Sequence, residues 1–172
     1  MREHRLIERL LKVIEGKVVS FRATQQGDPV LVEQVVGFFR NYADHCHHGK
    51  EEDILFRELA GRDLTPQLAA TMEELLQDHV QGRKLVGDLA KANQRYQEGD
   101  RQALGEVADL LARLTVFYPR HIAKEDKEFF YPCMELFSKE EKDAMLQRFW
   151  EFDRLLIHEL NENMVQGLEA RG

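Results

Sequence analysis

Apolar residues recur at spacings of three and four along five stretches of the chain, the pattern of helices that bury one face. The first stripe is Ile7, Leu11, Ile14, Val18 and Phe21, and the second is Val32, Val36, Phe39, Ala43 and Leu55. The third is Leu68, Met72, Leu75, Val86 and Leu89, and the fourth is Val107, Leu110, Leu114, Tyr118 and Phe129. A last stripe runs Phe149, Phe152, Leu156, Leu160 and Met164. Asp28-Pro29 and Thr65-Pro66 each pair an N-cap with proline at the first helical position. Gly99-Asp100 supplies a stop and a cap, and Ser138 with Glu141 fits a capping box. Together these predict helices over about 2–25, 29–60, 66–98, 101–135 and 139–168. Nothing alternates like a strand for long. The expected fold is all-α: an up-down-up-down four-helix bundle, because short connections make consecutive helices antiparallel, with an additional C-terminal helix.

Polar residues interrupt the stripes. Stepping back three from Ile7 reaches His4; the second stripe is broken by His47 and Glu51, the third by His79, the fourth by His121 and Glu125. The second and fourth interruptions lie in one repeated pattern, His-x-x-Lys-Glu-acid-x-x-apolar-Phe, at 47–56 and again at 121–130. A His and a Glu four apart share a helix face. Counted from the connecting turns at about 1.5 Å per residue, all six residues fall within roughly one helical turn of a common height. Phase and depth therefore agree independently. Four imidazoles and two carboxylates buried at one level without partners would cost about 1–3 kcal/mol each, more for charges. A bound metal removes that cost by using the lone pairs. The alternative is a buried His–Glu hydrogen-bond network.

Length and charge narrow the classes further. A chain of 172 residues fits one domain, here 1–172. A net charge of -7 and the lack of a basic stripe argue against a nucleic-acid surface. The N-terminal stretch is charged throughout, and no run of 18 apolar residues occurs, so no membrane partner is expected and a cytoplasmic location is the default. Cys46 and Cys133 have no CxxC spacing and read as ordinary thiols, though Cys46 adjoins the first motif.

Imidazole with carboxylate suits iron, zinc and other transition metals alike, so the donor set alone does not fix the ion. A structural zinc needs only four ligands, and this chain offers at least six. Two metals about 3.5–4 Å apart, sharing Glu51 and Glu125, use the set economically. No histidine has a glutamate three residues before it, unlike the ferritin-like di-iron proteins. His4, His47-x-x-x-Glu51, His79 and His121-x-x-x-Glu125, in that order, resemble the hemerythrin-like family, also called HHE cation-binding domains. The similarity covers about residues 1–135; the fifth helix, about 138–170, resembles an appendix found in some members. The resemblance implies a non-haem di-iron centre, two iron ions with two bridging carboxylates, that binds dioxygen or a related small ligand such as nitric oxide or peroxide. Oxygen-carrying members place a second histidine on the third helix where this chain has Arg83. His48 is then its replacement, or the position is open. Their fourth-helix carboxylate is an aspartate one position later, so Asp126 is an alternative to Glu125. Members with such motifs are associated with sensing, peroxide or nitric oxide handling and iron-dependent regulation.

The candidate metal ligands are thus His4, His47, His48, Glu51, His79, His121 and Glu125. Glu52 and Glu8 read as solvated, His45 as outward-facing, and His158-x-x-x-Glu162 as a solvated pair on the fifth helix. Tyr118 reads as a core aromatic with its hydroxyl satisfied locally, or as a donor to the metal pocket. Pro119 should kink the fourth helix. Phe56, Phe129 and Phe130 would keep the pocket dry. The leading expectation is a binding or sensing protein, with no separate nucleophile or general base. The alternatives are a peroxide- or nitric-oxide-reducing enzyme, and a storage or scaffold protein.

Overall fold

The computed structural model describes residues 2–169, with side chains over 3–156. Among the described residues there are five helices and no strand. They are α1 (Arg2–Thr24), α2 (29–60), α3 (Pro66–Gln97), α4 (103–134) and α5 (Lys139–Glu169). The ends follow the local chemistry. Asp28 accepts from the Leu31 amide at 3.0 Å and Thr65 from the Leu68 amide at 3.2 Å, each ahead of its proline. Ser138 and Glu141 exchange side-chain-to-amide bonds as a capping box, at 3.2 and 2.7 Å. Gly99 turns out of α3 at φ +105°, a conformation that costs glycine nothing.

Two of the helices are not uniform. Over Phe39–His48 and Glu51–Leu55 in α2, and Glu125–Phe129 in α4, the turn widens to a π-helix. The Phe56 amide bonds back five residues to the Glu51 carbonyl, and the Phe130 amide to the Glu125 carbonyl. The physical reason lies in the spacing of the buried side chains. Phe39, Ala43, His47, Glu51, Leu55 and Leu59 are all buried and all four apart. In an α-helix each such step drifts about 40°, so Leu59 would end roughly 200° from Phe39. Wider turns absorb the drift and keep the whole series facing inward.

Cross-helix pairs fix how the helices lie. Arg5 meets Asp126 and Arg22 meets Asp109, each at 2.6 Å, so α1 and α4 pack in opposite directions. Asp44–Arg83 and Pro29–Asn93 order α2 against α3 in the same way. Asp78–Lys124 and Arg95–Glu106 do so for α3 and α4. Helix α5 lies on the outer side of α2, where Phe152 sits over Gly49; a Cβ there would fall 2.8 Å from the ring. Asp153 and Arg148 of α5 pair with Lys50 and Glu58 of α2.

The apolar interior comes in two parts. One is built from Ile7 to Phe21, Val32 to Ala43, Leu85 to Ala92 and Leu104 to Ile122. The other lies nearer α5, from Ile54, Leu55, Phe56, Leu59, Leu68, Leu75, Phe129, Cys133, Phe137 and Met145. Truncating a fully buried leucine in either, such as Leu111 or Leu59, removes about 2–5 kcal/mol. In α2, α3 and α4 a layer of polar side chains lies between these parts, and His4 of α1 joins it beyond Ile7.

Candidate metal centre

The layer contains His4, His47, His48, Glu51, His79, His121 and Glu125, none more than 2% exposed. All seven residues singled out from the sequence are therefore brought together. Their donor atoms form three overlapping groups: His4, His47 and Glu125; His48, His79 and His121; and Glu51, His79 and Glu125. Within each group the atoms lie within 4.8 Å of one another. Two histidine sets face each other across the glutamates. His4 and His47 approach through their Nε2 atoms, 3.0 Å apart. His48 stacks on His79 with ring centres 3.9 Å apart, and His121 meets His79 edge-on at 5.1 Å.

Each glutamate reaches both sets. Glu51 Oε1 lies 3.8 Å from His47 Nε2, and its Oε2 lies 3.3 Å from His79 Nε2. Glu125 Oε2 lies 3.0 Å from His4 Nε2, and its Oε1 lies 3.1 Å from His121 Nε2. Asp126 instead turns to the outside of the layer. The π-turn also accounts for His48. With less rotation per residue, consecutive side chains share a face, and both His47 and His48 point inward.

Behind every imidazole stands a carboxylate. The Nδ1 atoms of His4, His47, His79 and His121 lie 2.9, 3.1, 2.7 and 3.4 Å from Asp126, Glu3, Glu52 and Asp78. His48 Nδ1 is 3.5 Å from Asp44, a contact without hydrogen-bond geometry. Such partners fix the tautomer, so that Nε2 presents its lone pair inward. Glu52, expected to be solvated, is therefore a corrected assignment: it holds His79 and also Arg83 at 2.7 Å. Arg83 does not enter the layer. Glu8 pairs with Arg5 at the surface and His45 is exposed. His158 and Glu162 lie outside the described side chains.

The repeated decapeptide now resolves position by position. Its first residue, His47 or His121, faces the layer. Its lysine holds the carboxylate behind that same histidine: Lys50 pairs with Glu3, and Lys124 with Asp78 at 3.0 Å. Its glutamate joins the two histidine sets. The following acid backs a histidine on another helix, Glu52 for His79 and Asp126 for His4. Its final phenylalanine stacks on that other histidine, Phe56 on His79 at 6.0 Å and Phe130 on His4 at 5.9 Å. The roles of Glu3, Asp78, Lys50 and Lys124 were missed in the sequence. The signal was there, since Glu3 and Asp78 each directly precede a layer histidine.

Protonation follows from these contacts. Burial would lower His47 and His79, but Glu51, Glu125 and Glu3 hold the first up at about 10, and Glu125, Glu51 and Glu52 hold the second up at about 11. His121 is raised likewise, against burial, by Asp78 and Glu125. Glu125 is driven well below the usual carboxylate range, against burial, by the surrounding imidazoles of His121, His4, His47 and His79. Burial and the Glu125 charge raise Glu51. Burial and the neighbouring imidazolium charges hold His48 down at about 3, against the pull of Asp44.

Metal donors fit this layer on one direct observation. Both oxygens of Glu51 and of Glu125, and the Nε2 atoms of His48, His79 and His121, are buried without a hydrogen-bond partner. Leaving that many polar atoms unpaired is costly, and a cation coordinated by them removes the cost. Helices around a buried layer of imidazole and carboxylate donors define a helical cation-binding domain. The chain belongs to the hemerythrin HHE cation-binding family: the domain described as Hemerythrin HHE cation binding domain matches residues 1–133. No curated protein and no solved structure matches the chain.

Proposed function

We propose that the layer holds two metal ions, iron in keeping with the family, and that the protein binds or senses dioxygen or a related small oxidant there. His4 and His47 would hold one ion, His48, His79 and His121 the other, and Glu51 and Glu125 would join them. The observation that carries this reading is the set of buried, unpartnered oxygens of Glu51 and Glu125 and Nε2 atoms of His48, His79 and His121, with four of the five imidazoles aimed by a carboxylate behind them. When bound, such a pair supplies two electrons and a coordination position for a small oxidant. The opposing directions of α1, α2, α3 and α4 support an up-down-up-down bundle, with residues 1–135 as the metal-binding part of one domain and α5 added outside.

The chain's own residues prepare the layer in three ways. The backing carboxylates keep His4, His47, His79 and His121 in the tautomer that offers Nε2. Phe56, Phe129 and Phe130 wall it off from water on the α5 side. Protons on His47 and His79 offset the glutamate charges until a cation takes their place. Among the described residues no helix is long and apolar enough to cross a membrane.

The test is elemental analysis of protein purified without added metal, followed by absorption spectra under dioxygen, nitric oxide and hydrogen peroxide. Two irons per chain with a reversible spectral response support binding or sensing. Consumption of peroxide or nitric oxide over many turnovers would replace it with a reductase, and iron without any response with storage. Folded protein that takes up no transition metal would overturn the reading.

A further inference from the structure

Two cavities touch the layer: one of about 900 Å³ has His121 on its wall, where Asp78 and Lys124 stand behind that ring, and the other borders His48. This second cavity, of about 360 Å³ between α2 and α3, reaches inward to His48 and the Tyr118 hydroxyl, with Gly82 and Arg83 on its wall. His48 is also the least anchored of the five imidazoles. Neither of its ring nitrogens has a hydrogen-bond partner: Asp44 behind it stays 3.5 Å away and bonds Arg83 Nε at 2.7 Å. Tyr118 is 2% exposed, and among the described residues its hydroxyl makes no hydrogen bond. That differs from the locally satisfied hydroxyl expected of a core tyrosine. Gly82 keeps the space beside this hydroxyl clear: a Cβ there would sit 3.5 Å from the Tyr118 oxygen and 3.3 Å from the Phe117 ring. At the corresponding place beside His4, the chain has Ile7 and Ile122, both buried.

Resting on the two-ion reading, we infer that this cavity is the port by which a small ligand reaches the centre, with His48 as the exchangeable donor and the Tyr118 hydroxyl positioning the incoming molecule. An imidazole without a carboxylate bond loses the orientation that holds its neighbours, a difference worth about 10–100-fold in metal affinity. It is therefore the donor that yields first. The ligand class follows from the groups it meets: it carries a nitrogen or oxygen lone pair for the ion and accepts a hydrogen bond from a phenol. Diatomics, peroxide, azide and imidazole qualify.

Free imidazole is the probe. In iron-loaded protein, His48→Gly should lower the metal content toward one ion per chain, and millimolar imidazole should restore it toward two. His4→Gly, whose ring is sealed under Phe130, should lose metal and not recover. Adding Gly82→Ala to His48→Gly should slow recovery at least about tenfold by narrowing the port. Equal recovery of the two glycine variants, or recovery of neither, overturns the inference. If circular dichroism shows His48→Gly unfolded, azide titration of the otherwise unchanged loaded protein decides. There Gly82→Ala should slow azide binding, and Tyr118→Phe should weaken it about fivefold, the worth of one neutral hydrogen bond; azide kinetics and affinity unchanged in both would overturn it. Unsubstituted protein that takes up no iron overturns the two-ion reading as well, whereas two ions without rescue overturns this inference alone.

Discussion

The half of the bundle made by α1 and α2 and the half made by α3 and α4 place the same chemistry at matching positions. Glu3-His4 corresponds to Asp78-His79, His47 to His121, Lys50 to Lys124, Glu51 to Glu125, Glu52 to Asp126 and Phe56 to Phe130. Each half supplies two imidazoles, one joining carboxylate and the acid and phenyl ring that steady a histidine of the other half. The halves part at one corner. His48 answers to Ile122, Gly82 to Ile7 and Asp44 to Tyr118. So one end of the layer is filled with aliphatic side chains, while the other has a third imidazole facing a cavity. On the two-ion reading, the matched positions build the pair of sites and the mismatch sets the corner where a ligand enters.

The comparison breaks most visibly at its shared elements. Glu51→Ala or Glu125→Ala, each removing a carboxylate that reaches both histidine sets, should lower metal content from two ions per chain to below one by elemental analysis. A variant that keeps both ions would show that glutamate is not a joining group.

The outer acids test whether the halves are equivalent. Asp126→Asn and Glu52→Gln should each weaken metal binding about 10–100-fold in chelator competition, and by similar factors. A disagreement beyond about tenfold would mean that the correspondence is only geometric.

Proton linkage comes next. In metal-free protein His47 and His79 stay protonated at pH 7, since their values lie at about 10 and about 11. Metal requires them neutral, so uptake at pH 7 should release protons, and affinity should rise with pH toward 10. Protonation of these two rings favours the metal-free fold fully below their unfolded value of about 6.5, and that contribution is lost as pH climbs through about 10 and about 11. The Tm of metal-free protein should fall over this range, and that of loaded protein should fall less.

The lysines should give the smallest effect and an unequal one. Lys50 is buried and also binds Asp153 of α5 at 2.8 Å, whereas Lys124 is partly exposed. Lys50→Ala should cost about 3 kcal/mol in denaturant unfolding, and Lys124→Ala about 1 kcal/mol or less. Equal losses would remove this distinction between the halves.

Much of this was legible in the residues alone. The caps at Asp28, Thr65 and Ser138 place the helix starts because each is a local exchange between a side chain and nearby amides. The layer was legible because helical phase and depth both depend only on residue number. The π-turns were not foreseen, although the unbroken four-residue spacing from Phe39 to Leu59 carries them. A regular α-helix cannot hold that series on one face. Without the wider turn, His48 lay between facing inward and facing water. The carboxylates behind the imidazoles were hidden for a different reason: Asp126 serves His4 and Glu52 serves His79, pairings between helices that no spacing along one helix expresses.

A crystal structure of iron-loaded protein, with anomalous scattering recorded at the iron edge, tests the central claim most directly. Two peaks are predicted, one beside His4 and His47 and one beside His48, His79 and His121, with Glu51 and Glu125 between them. A single peak, or iron bound away from these side chains, would contradict the account.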